Sequence, residues 1–283
     1  MTDPVAAARG TRKLRAAAVR RLTAAGVASP AAEVDQLLAH VLEVPRGRVL
    51  LAGDLDPHQQ ARFEGLLARR QLREPLQHLL GTATFRTVDL AVGPGVFVPR
   101  PETELLAGWA VERLLGRRDP VVVDLCTGSG AIAAALAAEV PGARVYAVEL
   151  APDAYACANL AGTGVDLRLG DIAEALPELD GTVDVVVANP PYIPLEAYEE
   201  VAEEARLHDP PVALWSGTEG LETIRTVERV AARLLRPGGL VGCEHADVQQ
   251  TSAPDVFRST GRWSDVADHR DLAGRPRFLT ARR

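Results

Sequence analysis

Residues 121–140, VVVDLCTGSGAIAAALAAEV, constrain the fold more than any other stretch of this chain. An apolar run that ends in a glycine turn and continues as an apolar helix is typical of a parallel sheet covered on both faces. The same alternation continues along the sequence and predicts an α/β fold with a parallel, doubly wound sheet. The predicted strands are 120–125, 144–149, 165–169, 183–188 and 239–244, with two more near 263–268 and 276–281. The predicted helices lie near 103–116, 130–139, 152–161 and 219–235.

The part of the chain before residue 101 has a different pattern. Its beginning reads as helical, because Gly26 ends one helix-forming stretch and Ser29-Pro30 and Asp56-Pro57 are typical helix starts. Further along, apolar residues alternate around a Gly-Pro-Gly turn and predict a β-hairpin. The sequence therefore predicts a small helical domain (1–75), a β-hairpin linker (76–100) and an α/β domain (101–283).

The composition is that of a globular protein, with 47% hydrophobic and 24% charged residues. Residues 1–75 contain 12 Lys/Arg and 8 Asp/Glu (net +4), whereas the remainder contains 19 and 30 (net −11). The acidic remainder gives no general electrostatic footprint for nucleic acid. No apolar run approaches the roughly 20 residues that span a bilayer. Three cysteines without CxxC spacing favour free thiols, and the six histidines form no metal-binding cluster. We expect a cytoplasmic monomer without a metal, a membrane segment or direct contact with nucleic acid.

The glycine turn predicts a cofactor site at the end of the first strand of the sheet. Gly128 and Gly130 permit a close backbone approach to a ligand at the start of a helix. Glu149 ends the next strand, where an acid can accept both hydroxyls of an adenosine ribose. Asp171 follows the third strand, where it can meet the adenine edge, and Asp124 can hold the ammonium group of an amino acid.

Two cofactors are compatible with a glycine turn of this kind. Residues 128–133 also satisfy the G-x-G-x-x-G/A pattern of dinucleotide binding. Asp124 argues against NAD, because an acid lies poorly beside a pyrophosphate, and no His/Lys pair for hydride chemistry stands out. S-adenosylmethionine carries adenosine at one end and a zwitterionic amino acid at the other. The residues therefore favour a methyltransferase over an NAD enzyme, or over glycines that only pack a helix on a strand.

Residues 189–192, Asn-Pro-Pro-Tyr, follow the apolar strand 183–188. Asn189 Oδ1 and the Pro190 carbonyl can each accept one N–H of a planar NH2 group, and this directs the nitrogen lone pair toward a methyl donor. Positioning of this kind is worth ~7–11 kcal/mol in the best intramolecular cases. Tyr192 can stack on the flat acceptor group. The motif indicates transfer to adenine N6, cytosine N4 or a glutamine amide, unless the two prolines only reverse the chain.

Six segments together resemble the bacterial release factor glutamine methyltransferases, the family now called PrmC and formerly HemK. They are REPLQHLLG (73–81), GVFVPRPETELL (95–106), DLCTGSGAIA (124–133), NPPYIP (189–194), HDPPVALWSGTEGL (208–221) and LLRPGGLVGCE (234–244). The similarity extends from about residue 30 to the C-terminus. NPPY alone is shared with DNA amino-methyltransferases, whereas the first two segments in this order are far more specific.

The resemblance implies a helical N-terminal domain that binds the release factor, a hairpin linker and a Rossmann-like domain. The implied reaction is N5-methylation of the glutamine in the Gly-Gly-Gln motif of class 1 release factors, with S-adenosyl-L-methionine as methyl donor and S-adenosyl-L-homocysteine as product. The residues that would hold the glutamine are Asn189, Pro190, Pro191 and Tyr192. The cofactor residues, predicted above or implied by the resemblance, are Phe97, Asp124, Cys126, Thr127, Gly128, Ser129, Gly130, Glu149, Asp171, Ile172 and Asn189.

Three positions depart from the family pattern. Cys126 replaces a usual glycine, Glu149 stands where Asp is commoner, and Glu244-His245 stands where Glu-Ile-Gly is usual. The alternative function is a DNA adenine-N6 methyltransferase, which would need a basic groove for phosphate contacts. The net charge of −11 after residue 75 opposes that alternative. A non-catalytic module that only binds S-adenosylmethionine is opposed by the fact that every expected site position is filled.

Overall fold

The computed structural model describes residues 4–151 and 154–283. The chain divides into two compact units. The first comprises the residues up to Gly81 together with Glu203–His208, and the second comprises Thr82–Ala202 and Asp209–Arg283. The first unit thus extends six residues beyond the predicted boundary at residue 75, and the predicted linker 76–100 is divided between the two units.

Helices form the first unit and flank the sheet of the second. In chain order they are α1 (Pro4–Ala24), α2 (Pro30–Leu42), α3 (Pro57–Gln71), α4 (Leu76–Leu80), α5 (Thr103–Leu114), α6 (Ala131–Glu139), α7 (Ala154–Leu160), α8 (Glu203–His208), α9 (Pro211–Leu214), α10 (Glu222–Leu234) and α11 (Ser252–Arg258). Short 3-10 turns cover Arg46–Leu51, Ile172–Glu174, Pro177–Leu179, Leu195–Glu200 and Asp247–Gln249. The first two residues of the predicted helix 152–161 lie outside the described residues, and α4, α8, α9 and α11 were not predicted.

The helix starts in the first unit follow local sequence signals. Asp56 and Gln59 form a reciprocal capping box at α3, with Gln59 N–H donating to Asp56 Oδ1 (2.8 Å) and Asp56 N–H donating to Gln59 Oε1 (3.0 Å). Pro30 is the first residue of α2 as predicted, but Ser29 makes no side-chain capping bond. The apolar faces of these helices bury one core, which includes Leu22, Val34, Leu37, Leu38, Val41, Phe63 and Leu67.

A buried ion-pair cluster holds α8 within the first unit. Arg70 is 4% exposed, and its guanidinium donates to Glu33 Oε2 (2.5 Å) and to Glu204 Oε2 (2.8 Å). It also donates to the backbone carbonyl of Glu74 (2.8 Å). A fork of five N–H donors suits a site that must satisfy several acceptors at once. Arg70 therefore joins α2, α3 and α8.

The strands form a hairpin and a seven-stranded sheet. They are β1 (Thr82–Phe85), β2 (Val88–Ala91), β3 (Val121–Leu125), β4 (Arg144–Glu149), β5 (Asp166–Leu169), β6 (Val183–Ala188), β7 (Leu235–Glu244), β8 (Ser264–Arg270) and β9 (Pro276–Arg282). β1 and β2 pair as the predicted hairpin, and the other strands lie in the order β5-β4-β3-β6-β7-β9-β8. β3 to β7 are parallel, but β9 is antiparallel to both β7 and β8, so the prediction of a wholly parallel sheet is wrong at this edge.

The sheet separates two apolar cores. Val122 of β3 packs into the core beneath α5 and α6, whereas its neighbours Val121 and Val123 pack into the core beneath α10 and α11. Successive side chains of a strand point to opposite faces of the sheet. Apolar side chains on both faces are expected when helices cover both sides. The doubly wound α/β fold is thereby confirmed. Within the described residues, no helix combines the length and the apolar character needed to cross a membrane.

Candidate active site

The carboxyl ends of the parallel strands lie at one edge of the sheet. From β3 the chain continues to β4 and β5 on one side, and then crosses to β6 and β7 on the other side. Open α/β sheets bind ligands outside the strand ends at such a reversal of strand order. The glycine turn follows β3 and Asn-Pro-Pro-Tyr follows the adjacent β6, so the fold brings the two predicted halves of the site together.

The glycine turn contains three residues with left-handed backbone: Cys126 (φ 62°), Gly128 (φ 57°) and Gly130 (φ 83°). A Cβ added at Gly130 would lie 2.9 Å from Leu160 Cγ, so Gly130 permits the close packing of α6 against α7. A Cβ added at Gly128 would meet no atom within 4 Å. Ser129 is buried between them. Gly130 thus has a packing role, whereas Gly128 faces open space.

Glu149, the predicted ribose acid, lies directly against the glycine turn. The backbone N–H of Gly128 donates to Glu149 Oε2 (2.8 Å), and the backbone N–H of Ala151 donates to Oε1 (3.0 Å). These bonds hold the carboxylate between the glycine turn and the residues that follow β4. A carboxylate oxygen accepts more than one hydrogen bond, so this anchoring is compatible with ligand hydroxyls at the same group.

Asp124 is fully buried beneath the turn. Its Oδ2 accepts hydrogen bonds from Thr127 Oγ1 (2.5 Å) and from the Ala133 N–H (3.1 Å). Burial raises the pKa of Asp124 to about 7, although these two bonds act in the opposite direction. Its Oδ1 is buried and has no hydrogen-bond partner within the described part of the chain. A buried acceptor in this state suits a charged donor, and the predicted contact with an ammonium group stays a prediction.

The charges of three carboxylates act on Cys126. Burial raises the pKa of its thiol, and the charges of Glu149, Asp124 and Asp171 raise it further. Cys126 therefore stays a neutral thiol, which is a weak nucleophile. The same negative charges favour a ligand that carries positive charge and disfavour a pyrophosphate at this edge.

The remaining predicted cofactor residues have distinct surroundings. Asp171 Oδ1 accepts the backbone N–H of Ala173 (2.8 Å) and so caps a 3-10 turn. Ile172 is buried in the core beneath α10. Phe97 is half-buried, with Arg100 Cζ 4.9 Å from its ring centroid. The charge of Asp171 thus acts on Cys126 in the glycine turn. The contact described for Phe97 is with Arg100.

The Asn-Pro-Pro-Tyr motif is tied to one buried carboxylate. Asn189 Nδ2 donates to Thr103 Oγ1 (3.2 Å), and Thr103 Oγ1 donates to Glu244 Oε2 (2.8 Å). Tyr192 Oη donates to Oε1 of the same carboxylate (3.2 Å). Asn189 and Tyr192 are both half-buried, whereas Pro190 is buried. The predicted stacking of Tyr192 on a substrate stays a prediction.

Glu244 is 2% exposed, and burial raises its pKa to about 7. The hydrogen bond from Thr103, the charge of Arg277 and the hydrogen bond from Tyr192 act in the opposite direction and favour the carboxylate. Glu244 is thus an acid that titrates near neutral pH at the end of β7, beside the motif.

Comparison with known proteins identifies the family. Residues 13–81 match the family model of the PrmC N-terminal domain, and residues 122–208 match that of a methyltransferase domain. A release factor glutamine methyltransferase of Streptomyces coelicolor is 54% identical over 272 residues, which cover 95% of this chain and 96% of the relative. The chain belongs to the release factor glutamine methyltransferase family.

Two further relatives show the range of this family. A release factor glutamine methyltransferase of Mycolicibacterium smegmatis is 51% identical, with 94% of this chain and 95% of the relative covered. A protein of Streptomyces pristinaespiralis named 4-amino-L-phenylalanine/4-methylamino-L-phenylalanine methyltransferase is 46% identical, with 88% of each chain covered. Relatives of this methyltransferase family thus carry names that refer to two different acceptors.

Two residues of this methyltransferase site were not among the predicted site residues. Thr103 has no predicted role, and Glu244 appears only in a departure from the family pattern. Thr103 begins α5 and Glu244 ends β7, and they lie 141 positions apart in the sequence. A signal for Glu244 was present, since it is an acid at the carboxyl end of a buried strand, as Glu149 is. Thr103 lies within the segment 95–106 that carries the family resemblance, but nothing in that segment distinguishes it from its neighbours as a site residue.

Proposed function

We propose that this chain transfers the methyl group of S-adenosyl-L-methionine to the side-chain nitrogen of the glutamine in the Gly-Gly-Gln motif of a class 1 release factor. S-adenosyl-L-homocysteine is the other product. One observation carries this proposal: Asn189 follows β6, which pairs with the strand leading into the glycine turn, and its Nδ2 donates to Thr103. Its Oδ1 is therefore turned away from Thr103 and can accept an N–H of a planar substrate. The names of the relatives support the choice of substrate.

The residues around the glycine turn fit this cofactor. Asp124 Oδ1, the buried acceptor without a partner, would hold the ammonium group, and Glu149 would hold the ribose hydroxyls. The open space above Gly128 permits a close approach of the ligand to the backbone. When bound, S-adenosyl-L-methionine supplies an electrophilic methyl group on a positively charged sulfur. The carboxylates around Cys126 match that charge.

The chain positions the acceptor nitrogen. An amide nitrogen is a weak nucleophile, because its lone pair is delocalised toward the carbonyl group. Asn189 Oδ1 and the Pro190 carbonyl oxygen would each accept one of its N–H groups, and this holds the lone pair in one direction. Pro190 and Pro191 have restricted backbones, so the two acceptors lie on a stiff support. The nitrogen becomes acidic only as it is alkylated, so the site needs no strong base.

The decisive experiment is a radiolabelled methyl-transfer assay with separate acceptors. They are an intact class 1 release factor, the same factor with the Gly-Gly-Gln glutamine changed to alanine, free 4-amino-L-phenylalanine, and unmethylated DNA. We expect label on the intact factor only. Label on DNA would replace the proposal by the alternative of a DNA adenine-N6 methyltransferase, and label on the alanine factor would exclude the glutamine as acceptor.

One observation favours a second candidate function. The Streptomyces pristinaespiralis relative is named for an aromatic amine, and it is 46% identical to this chain. An aromatic amine is also a planar NH2 group with a delocalised lone pair, so the same pair of acceptors would suit it. The assay separates the two candidates, because 4-amino-L-phenylalanine contains no glutamine amide.

The first unit is proposed to bind the body of the release factor, with the enzyme acting as a cytoplasmic monomer that does not contact nucleic acid. The match of residues 13–81 to the PrmC N-terminal domain supports this division of roles. A short peptide with the Gly-Gly-Gln sequence would then have a much higher KM than the whole factor, at similar kcat. Equal KM values would contradict a docking role for this unit.

A further inference from the structure

We propose that Glu244, acting through Thr103, is a positioning residue that determines which way the Asn189 carboxamide points. The inference rests on the proposed role of Asn189 in holding the acceptor nitrogen. It assigns a function to two side chains that are almost fully buried. The structural basis is the chain of hydrogen bonds from Asn189 Nδ2 to Thr103 Oγ1 (3.2 Å) and from there to Glu244 Oε2 (2.8 Å).

The direction of this chain follows from hydrogen-bond chemistry. An ionised carboxylate can only accept hydrogen bonds, whereas a hydroxyl has a single proton to donate. Thr103 gives that proton to Glu244, so toward Asn189 its oxygen can only accept. The only donor on the Asn189 side chain is its NH2 group. The carboxylate at one end therefore requires the NH2 group at the other end to face Thr103.

The opposite orientation of Asn189 would be unproductive. The two ends of a carboxamide have nearly the same shape, so packing alone distinguishes them poorly. If Asn189 were rotated by half a turn, its NH2 group would face the NH2 group of the substrate, and two donors cannot bond to each other. The hydrogen bond to Thr103 excludes this arrangement and keeps Oδ1 on the substrate side.

Glu244 also anchors the far end of the motif. Its second oxygen accepts from Tyr192 Oη (3.2 Å), and Gln249 Nε2 donates to the backbone carbonyl of Tyr192 (3.0 Å). One carboxylate is therefore connected to the first and last residues of Asn-Pro-Pro-Tyr. Thr103 and Glu244 are 4% and 2% exposed, so water does not compete for these bonds.

Three variants test the inference. Thr103→Val keeps the shape of the side chain but removes the hydroxyl, whereas Thr103→Ser restores a hydroxyl. Thr280→Val is the matched control, because Thr280 is also buried and its hydroxyl is bonded to His269 (2.8 Å), outside the chain of bonds. Release factor methylation gives kcat and KM, and calorimetry gives the affinity for S-adenosyl-L-homocysteine.

We expect Thr103→Val to lower kcat roughly fivefold to tenfold, which corresponds to about 1.0–1.4 kcal/mol, the range for one hydrogen bond. Affinity for S-adenosyl-L-homocysteine should stay unchanged. Thr103→Ser should retain most of the activity, and Thr280→Val all of it. A wild-type kcat in Thr103→Val would overturn the inference. An equal loss in Thr280→Val, or a parallel loss of cofactor affinity, would also overturn it by showing a general structural effect.

A second measurement needs no substrate and separates this inference from the proposed function. The side-chain NH2 signals of Asn189 can be followed by NMR and assigned by their loss in Asn189→Asp. We expect slow exchange with water in the wild type and in Thr103→Ser, and fast exchange in Thr103→Val. If wild-type enzyme fails to label the release factor, the proposed function fails while this exchange pattern still decides the inference. Identical exchange in all three proteins would refute it.

Discussion

Buried charge is handled differently in the first unit and at the edge of the sheet. In the first unit the Arg70 guanidinium is surrounded by two carboxylates, Glu33 and Glu204, so each buried charge has a counter-charge. At the sheet edge Asp124 and Glu244 are buried at least as deeply, but their described partners are hydroxyl and N–H groups. In the first arrangement burial lowers the pKa of Arg70, but the two carboxylates more than offset this and raise it. In the second arrangement the acids have pKa values raised to about 7.

The way in which a buried acid is stabilised depends on whether it lies at the candidate active site, and not on which unit contains it. Glu228 lies in the same unit as Glu244, is equally buried at 2% exposure, and forms an ion pair with Arg262 (2.8 Å). Away from the strand ends, therefore, a buried acid is paired with an arginine. Perturbed acids without such partners concentrate where a ligand is expected, which is typical of functional sites. Buried acids that pair with an arginine thus have a structural role here, whereas the two buried acids held only by hydrogen bonds lie at the candidate active site.

The largest effect is expected at Arg70. Arg70→Met would leave the partly buried carboxylates of Glu33 and Glu204 without the guanidinium that bonds both of them. Breaking a buried pair lowers stability by up to about 3–5 kcal/mol. Urea denaturation measures the free energy of unfolding. The matched control is Arg69→Met, because Arg69 is half exposed and pairs with Glu74. That change should alter stability by less than about 1 kcal/mol. If the two variants lower stability equally, the buried ion pairs of Arg70 have no special role in stabilising the first unit.

The next largest effect is expected at Asn189. Asn189→Ala removes the carboxamide acceptor, and the loss of one preorganised hydrogen-bonding group at a reacting centre lowers kcat by about 10²–10³-fold. The unfolding free energy should change little, because the side chain is only half-buried. Methyl transfer to the release factor and binding of S-adenosyl-L-homocysteine are measured on the same protein. Turnover at the wild-type rate would contradict the role given to Asn189.

The pH dependence of kcat should reveal the titration of Glu244. Its pKa is raised to about 7, and only the carboxylate form requires the Asn189 NH2 group to face Thr103. As the pH falls from 8 to 6 the carboxylate becomes protonated and can donate. The protonated form should keep roughly one-tenth to one-fifth of the activity, as expected when the Thr103 orientation is lost, so kcat should fall by about threefold to fivefold. Besides the Thr103 and Tyr192 hydroxyls, the charged groups that face it are Arg277, which favours the carboxylate, and Glu102, which opposes it.

Glu244→Gln is the variant that isolates this titration. Glutamine cannot ionise, so the fall in kcat between pH 8 and pH 6 should disappear. Asp124, whose pKa is raised to a similar value, is separated by measuring kcat at saturating cofactor, because its expected contact is with the cofactor. If the variant keeps the wild-type profile, the titration belongs to another group.

The smallest effect is expected at Cys126, whose backbone is left-handed (φ 62°). Side chains disfavour this conformation by roughly 1–2 kcal/mol, and glycine does not, although glycine loses more entropy on folding. Cys126→Gly should therefore raise the free energy of unfolding by about 0.5–1 kcal/mol. Cys157→Gly, in the middle of α7, should lower it by a similar amount. Urea denaturation measures both free energies of unfolding. If the two variants change this free energy in the same direction, left-handed backbone does not explain why the family usually has glycine at position 126.

Sequence patterns predicted the strands of the parallel part of the sheet, and also the glycine turn and the Asn-Pro-Pro-Tyr motif. The predicted strand 183–188 coincides with β6, and 144–149 coincides with β4, because buried apolar runs bounded by turns are local signals. The Thr103–Glu244 bond joins residues 141 positions apart, and nothing local to either residue indicates its partner. The antiparallel direction of β9 was likewise not predicted. The apolar pattern of a strand does not depend on whether its neighbours run parallel or antiparallel to it.

Helix α8 was missed for a related reason. It is six residues long and has no buried apolar face, so it lacks a helical hydrophobic pattern. Its place in the first unit depends on Glu204 meeting Arg70, which lies 134 positions earlier in the chain. An ion pair of that separation is a property of the folded chain and leaves no trace in either segment alone.

The membership of α8 in the first unit has a consequence for synthesis on the ribosome. Arg70 leaves the ribosome 134 residues before Glu204 does, which takes roughly 7–27 s at 5–20 residues per second. During that interval the helices encoded first have only Glu33 to oppose the Arg70 charge within the cluster. The part of the protein that is made first is therefore finished late, after most of the strands that follow it have been translated.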